Sequence, residues 1–357
     1  MAFYDNVVHN FEEVMQQLHD FLNTNGCTIR RFNLKSVPGD TRNYDGRVYF
    51  SFPGETITHG FRAYQYNQYD QVVTNACHFL FAGGAGWDAS ADSGNGDFTN
   101  GSGWKGNTHY DGWTARQNTR VTFPTRMRII TDLKTVCVVH FAATGQPFAN
   151  TYGVGIGAGI GAYKGQKIPW CDGVGGYVNS STNRYRTMFG SMYRSSGSTY
   201  YYRQMAGACL IPESPMFDDW NVGDGAKWCP FLSENTLGNQ GVPSTRIVQD
   251  FMSRTANSND KLGVYTSIAP HIYFEPSLTT VLLPCATCLV DKISGTLRSV
   301  PVVDFQGVKF LNPKYVGQGE QLTHNNVQYR VVQDIAEVDG SSYIGHHFAL
   351  AIRESSW

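Results

Sequence analysis

The sequence predicts a mainly β protein, built from β-sandwich-like regions, with one amphipathic helix near its N-terminus. Apolar residues recur at helical spacing in one early segment. Most of the remaining chain consists of short runs in which apolar and polar residues alternate, as they do in half-buried strands. Segments rich in Gly, Asn and Ser separate these runs, as turns and loops do.

The predicted helix spans residues 7–25. Gly26 follows it as a stop signal, and either Asn10 or Asp5 could cap its start. Its apolar positions recur at steps of three and four residues: Val8, Phe11, Val14, Met15, Leu18, Phe21 and Leu22. This spacing predicts a single buried face.

Strand-like runs lie on both sides of an irregular stretch. The N-terminal runs cover residues 47–52, 59–66, 75–82, 126–130, 135–142, 152–163 and 199–204. The C-terminal runs cover residues 263–274, 279–289, 297–305, 328–335 and 347–353. We therefore predict a helix-plus-β region over 1–211, an irregular connection over 212–260 and a C-terminal β region over 261–357.

Residues 83–113 are rich in Gly, Asn, Asp and Ser and predict a long exposed loop that carries Trp87, Trp104 and Trp113. Loops of this length are usually functional or are ordered by a neighbour. Further aromatic side chains stand together at Tyr200, Tyr201 and Tyr202. These aromatics could anchor a protein interface or stack on sugar rings, and the low charge of the whole chain favours the interface.

Glycine occupies every second position from Gly153 to Gly161. The dinucleotide fingerprint needs a two-residue gap that this segment lacks, and Lys164 is not followed by the Ser or Thr of a phosphate loop. Alternating glycine instead predicts a strand with one bare face, which another sheet or another subunit can approach closely. Three of these glycines are candidate interface residues: Gly155, Gly157 and Gly159.

The eight cysteines include one Cys-x-x-Cys motif, Cys285-Ala-Thr-Cys288. A structural zinc site needs a second ligand pair at comparable spacing, which the sequence does not offer. We therefore interpret Cys285 and Cys288 as buried thiols or as candidates for a disulfide bond. The sequence has no secretory signal or membrane-spanning run, so we expect synthesis in a cytoplasm, where the thiols are reduced.

Charge and motifs narrow the classes of function. Only 16% of the residues are charged and the formal net charge is -1, which argues against direct nucleic-acid binding. The sequence has no nucleophile elbow, and the adjacent acids Asp218 and Asp219 do not establish a glycosidase pair, which is defined in space. Asp88, Asp92 and Asp97 could offer oxygen ligands to calcium, but they lack the EF-hand spacing, which favours a solvated loop. We therefore predict neither an enzyme nor a cofactor. A low-charge, aromatic-rich surface suits a protein that buries much of its exterior against neighbours.

The C-terminal part carries a resemblance to a known class of proteins. Leu282-Leu-Pro is followed by Leu297-Arg-Ser-Val-Pro-Val-Val-Asp-Phe, by Val327-Gln-Tyr-Arg-Val-Val-Gln-Asp and by Phe348-Ala-Leu-Ala-Ile-Arg. This ending resembles virion structural proteins of tailed bacteriophages that belong to the tail, collar or baseplate. The resemblance implies a multi-copy particle component, assembled in the host cytoplasm and located in the virion.

These observations together predict a structural subunit that forms a ring, collar or sheath-like layer of a phage tail or neck. Its expected partners are other copies of itself and other tail or neck proteins. The first alternative is a receptor- or glycan-binding tail component that uses the loop at 83–113. The second is a polysaccharide-degrading enzyme.

Overall fold

The structure is a computed structural model. It describes residues 3–34, 45–64, 76–84, 86–91, 94–98, 120–140, 150–174, 208–212, 227–230, 263–265, 282–293, 296–311, 316–317, 319–332 and 349–354. These residues form a mainly β protein with one α-helix near the N-terminus. The predicted fold class is therefore confirmed.

The elements follow one another in three groups. The first comprises β1 (Phe3–Val8), α1 (Phe11–Thr24), β2 (Thr28–Leu34), β3 (Asp45–Ser51), β4 (Thr58–Tyr64), β5 (Ala76–Gly84), β6 (Trp87–Asp88), β7 (Asp97–Phe98) and β8 (Arg120–Thr122). The second comprises β9 (Thr125–Thr131), β10 (Thr135–His140), β11 (Asn150–Gly159), a 3-10 turn (Gly161–Tyr163), β12 (Lys167–Val174), β13 (Ala208–Ile211) and β14 (Lys227–Pro230). The third comprises β15 (Gly263–Tyr265), β16 (Leu283–Ile293), β17 (Thr296–Leu311), β18 (Gln321–His324), β19 (Val327–Val332) and β20 (Ala349–Arg353).

Two antiparallel sheets dominate the described residues. The small sheet has five strands in the order β2-β3-β4-β5-β8. The large sheet is curled and has thirteen strands. Its N-terminal half runs β1-β9-β10-β11-β12-β13-β14, and its C-terminal half runs β15-β16-β17-β20-β19-β18.

The two halves of the large sheet join where β11 pairs with β17. Only Ala158 with Asp304 and Gly159 with Val303 are paired there, and the Ile160 N–H donates to the Val302 carbonyl at 2.9 Å. Strands from both predicted β regions thus belong to one sheet. The stretch predicted as irregular, 212–260, contains a strand, β14, so that prediction is wrong at Lys227–Pro230.

The helix is shorter than predicted because its first residues belong to β1. Val7 and Val8 pair with β9, and the helix starts at Phe11. Asn10 is the cap, since its Oδ1 accepts a hydrogen bond from the Glu13 N–H at 2.8 Å. The predicted apolar face is buried as expected, at Phe11, Val14, Met15, Leu18, Phe21 and Leu22.

The N-terminal half of the large sheet has two buried faces. On the first, which we call the helix side, its apolar residues pack into one core with α1 and the small sheet. On the second, which we call the glycine side, it meets the C-terminal half of the sheet. There the Trp170 ring meets the Phe305 ring edge-on, with centroids 5.3 Å apart.

Candidate functional site

The outer edge of β1 is the clearest candidate for an interaction surface. Among the described residues, β1 hydrogen-bonds with one strand, β9, along all six of its residues and without a register shift. The side chain of Val8 is buried on the helix side, whereas Val7 is 47% exposed. The other edge of this strand therefore presents backbone N–H and C=O groups that no described strand pairs.

The charge on β1 is neutralised within the sheet. Asp5 forms ion pairs with two arginines of β9: Arg126 Nε lies 2.6 Å from Asp5 Oδ1, and Arg128 Nε lies 2.9 Å from Oδ2. Burial opposes ionisation of Asp5, but the two guanidinium groups outweigh it and hold the pKa of this carboxyl below its usual value. Nearby, the Arg330 guanidinium lies 4.0 Å above the Phe3 ring.

The edge of the small sheet at β2 differs from the β1 edge because it carries protective features. Its pairing with β3 is interrupted by a register shift between Ile29 and Arg31. The Arg31 side chain is buried, and its Nη1 donates to the Gly96 carbonyl at 2.8 Å. An irregular register and a side chain already bound to another segment both hinder addition of a further strand.

Trp87 is a packing residue at the start of the predicted loop. Its ring lies 5.1 Å from that of the buried Tyr49, and a Cβ atom at Gly96 would overlap it. Burial raises the pKa of the Tyr49 hydroxyl. Trp87 is therefore half-buried against the small sheet, and its predicted role in an interface or in sugar stacking stays a prediction.

The predicted long loop at 83–113 is partly structured. Its first two residues belong to β5, and Trp87–Asp88 pairs with Asp97–Phe98. The prediction of an exposed loop without secondary structure is wrong for these residues. The other predicted aromatic residues, Trp104, Trp113, Tyr200, Tyr201 and Tyr202, lie outside the described residues.

The alternating glycines form a strand with a bare face, as predicted. Gly155, Gly157 and Gly159 are buried in β11. A Cβ atom at Gly155 would lie 2.7 Å from the Trp170 ring, and one at Gly157 would overlap the Val303 side chain. The chain's own residues thus fill the space above these glycines, and their proposed role between subunits stays a prediction.

Cys285 and Cys288 both lie in β16, and Cys285 is buried. The side chain of Cys288 lies outside the described residues. Residues three apart in an extended strand are separated by about 10 Å, whereas disulfide-bonded Cα atoms lie at most about 7 Å apart. A bond between these two cysteines within one chain therefore does not fit β16.

The described part of the chain contains no cluster of three or more His, Cys, Asp or Glu side chains placed to hold a metal ion. It also contains no helix that is long and apolar enough to span a membrane.

No protein family matches this chain, and no curated protein has a significantly similar sequence.

Proposed function

We propose that this protein is a structural subunit of a tailed-phage particle, located in the virion as part of a ring, collar or sheath-like layer of the tail or neck. In this proposal it acts by binding other copies of itself and other tail or neck proteins, without catalysis. The observation that carries the proposal is the outer edge of β1, which no described strand pairs. A strand of a neighbouring subunit would add to it, as peptides add to exposed sheet edges in other proteins.

The β1 edge lacks the features by which free proteins prevent such pairing. Proteins protect edge strands with lysine, proline, bulges or very short strands. β1 has six residues, which correspond to about 20 Å of edge, and it contains no lysine or proline. Its single charge, on Asp5, is neutralised by Arg126 and Arg128.

Composition supports the same role. Only 16% of the residues are charged, while the chain contains 20 Tyr and 21 Phe residues. A surface of this kind resists association weakly, and aromatic residues are enriched in protein interfaces. A ring or tube is formed when one such contact is repeated by symmetry.

The experiment is native mass measurement across a protein concentration series, with Val7→Lys as the test variant. We expect the unmodified protein to form closed oligomers. A lysine at this exposed position places an unneutralised charge on the β1 edge, so V7K should shift the population towards monomer by at least tenfold in dissociation constant. Unchanged thermal unfolding would show that V7K is folded.

The matched control is Thr24→Lys, which adds the same charge at an exposed position at the end of α1 and not on a strand. It should assemble like the unmodified protein. A strictly monomeric unmodified protein would count against self-assembly, and oligomers that V7K leaves intact would show that assembly uses another surface.

A further inference from the structure

We infer that Cys209 and Cys229 form a disulfide bond under oxidising conditions. The two residues lie on β13 and β14, which pair antiparallel, and the register places them directly opposite each other. The inference rests on this register and does not depend on the proposed function.

The spacing of antiparallel strands suits this bond. Directly opposite residues have Cα atoms about 5.5 Å apart in hydrogen-bonded pairs and about 4.5 Å apart in the others. Both values fall within the range of about 4.4 to 6.8 Å found for disulfides. The pair therefore meets the distance requirement that Cys285 and Cys288, within one strand, do not.

The surroundings of Cys209 favour a lasting bond. Cys209 is fully buried and lies opposite Trp170 of β12 on its other side. A bond to Cys229 would fasten β14 to the interior of the large sheet, and its Cys209 sulfur would be shielded from soluble thiols. Strained or exposed disulfides are the labile ones, and Cys209 is not exposed.

The bond forms by exchange with a small-molecule disulfide such as oxidised glutathione. One cysteine thiolate attacks that disulfide, forming a mixed disulfide and releasing one glutathione thiolate. The second cysteine loses its proton, attacks the mixed disulfide at the protein sulfur and releases the second glutathione. Two protein thiols are thereby oxidised, and one glutathione disulfide is reduced to two thiols. Because Cys209 is buried, this exchange requires β13 and β14 to separate or takes place during folding.

The test is peptide mapping after oxidation. Reduced protein is incubated with oxidised glutathione in two arms, one folded and one refolding from denaturant, and remaining thiols are then alkylated. Trypsin cleavage after Arg203, Lys227 and Arg246 places Cys209 and Cys229 in separate peptides, 204–227 and 228–246. We expect these two peptides to be joined, with a mass two hydrogen atoms below the sum of the two reduced peptides. The joined pair should be at least tenfold more abundant than any other disulfide-linked pair of peptides.

Cys209→Ser and Cys229→Ser should each abolish the linked peptide, whereas Cys27→Ser should leave it unchanged. Cys27 is a suitable control because burial raises the pKa of its thiol to about 12 and no described strand places a cysteine opposite it. The oxidised protein should also unfold at a Tm higher by about 4 °C than the reduced protein. Alkylation of both cysteines in both arms, or a dominant linkage to another cysteine, would overturn the inference.

Discussion

The two faces of the N-terminal half of the large sheet are filled in opposite ways, and β11 contributes to both. On the helix side, Tyr152, Val154 and Ile156 pack with α1 and the small sheet. On the glycine side, the alternate positions carry no side chain, and Trp170 and Val303 occupy the space. On the helix side, large side chains separate β11 from α1 and the small sheet. On the glycine side, the absence of side chains lets neighbouring strands approach β11 closely.

Buried polar groups differ between the two faces as well. The helix side contains His59 and His140, which burial keeps uncharged by lowering the pKa of each to about 3. The glycine side contains Asp132, whose Oδ2 lies 3.5 Å from Arg353 Nη2 of β20. Burial raises the pKa of Asp132, while Arg353 opposes that shift. A charged pair thus links the two halves of the sheet.

The largest expected effect comes from Gly159→Ala on the glycine side. The new Cβ atom would overlap the Tyr163 carbonyl oxygen and lie 3.0 Å from that of Gln166. Both are backbone atoms at a turn and cannot move aside as a flexible side chain can. We expect a loss of about 3 kcal/mol in the free energy of unfolding, measured by chemical denaturation.

Gly317→Ala provides the matched control, because its Cβ atom would meet only Glu320 Oε2, at 3.8 Å. Its effect should stay within about 0.5 kcal/mol. If Gly159→Ala and Gly317→Ala lower the free energy of unfolding equally, the close backbone approach at Gly159 does not contribute to stability.

A smaller effect is expected for Gly307→Ala, which tests the charged pair. Its Cβ atom would overlap the carboxylate of Asp132, a side chain that can shift at the expense of its contact with Arg353. We expect a loss of about 2 kcal/mol in the free energy of unfolding. In an Asp132→Ala background the same change should cost less, with a coupling of about 1 kcal/mol by double-mutant cycle. If the losses in free energy of unfolding from Gly307→Ala and Asp132→Ala are additive, Gly307 does not act through the contact between Asp132 and Arg353.

The smallest expected effect is the pH dependence caused by His59 on the helix side. Its folded pKa is depressed, so below its ordinary value of 6.5 the unfolded chain binds a proton that the folded chain does not. Stability should therefore fall as the pH falls from 6.5 towards 3. His59 alone should contribute a loss of about 1.4 kcal/mol between pH 7.5 and 5.5.

His59→Leu should remove this contribution. It should also raise stability at pH 7.5 by about 1 kcal/mol, because neither ring nitrogen has a hydrogen-bond partner among the described residues. The measurement is chemical denaturation at the two pH values. An unchanged difference between them would mean that His59 is not protonated on unfolding in this range.

The helix and the glycine strand could be predicted because each depends on neighbouring residues. The apolar spacing from Phe11 to Leu22 identified the buried face, and the glycine period identified β11. The start of the helix was misplaced because Val7 and Val8 fit the helical spacing as well as a strand. Pairing with β9, more than a hundred residues away, decides in favour of the strand.

Other features had weaker signals. β2 was missed because adjacent arginines and a register shift disrupt its alternation. Trp87 could be identified as an aromatic of interest, but its packing on Tyr49 depends on the small sheet beneath it. The strand β1 could have been suspected from the short run Phe3-Tyr-Asp-Asn-Val-Val8, yet nothing in that run shows which of its edges the described strands leave unpaired.

The sequence by itself determined the mainly β class, the helical face and the bare face of β11, because side-chain periodicity is a local property. Only the tertiary structure decided which strands are neighbours. That choice filled the space above the glycines, left the outer edge of β1 without a partner among the described strands and placed Cys209 opposite Cys229. The physical reason is that register and edge exposure depend on hydrogen bonds between residues far apart in the chain, which local patterns do not specify.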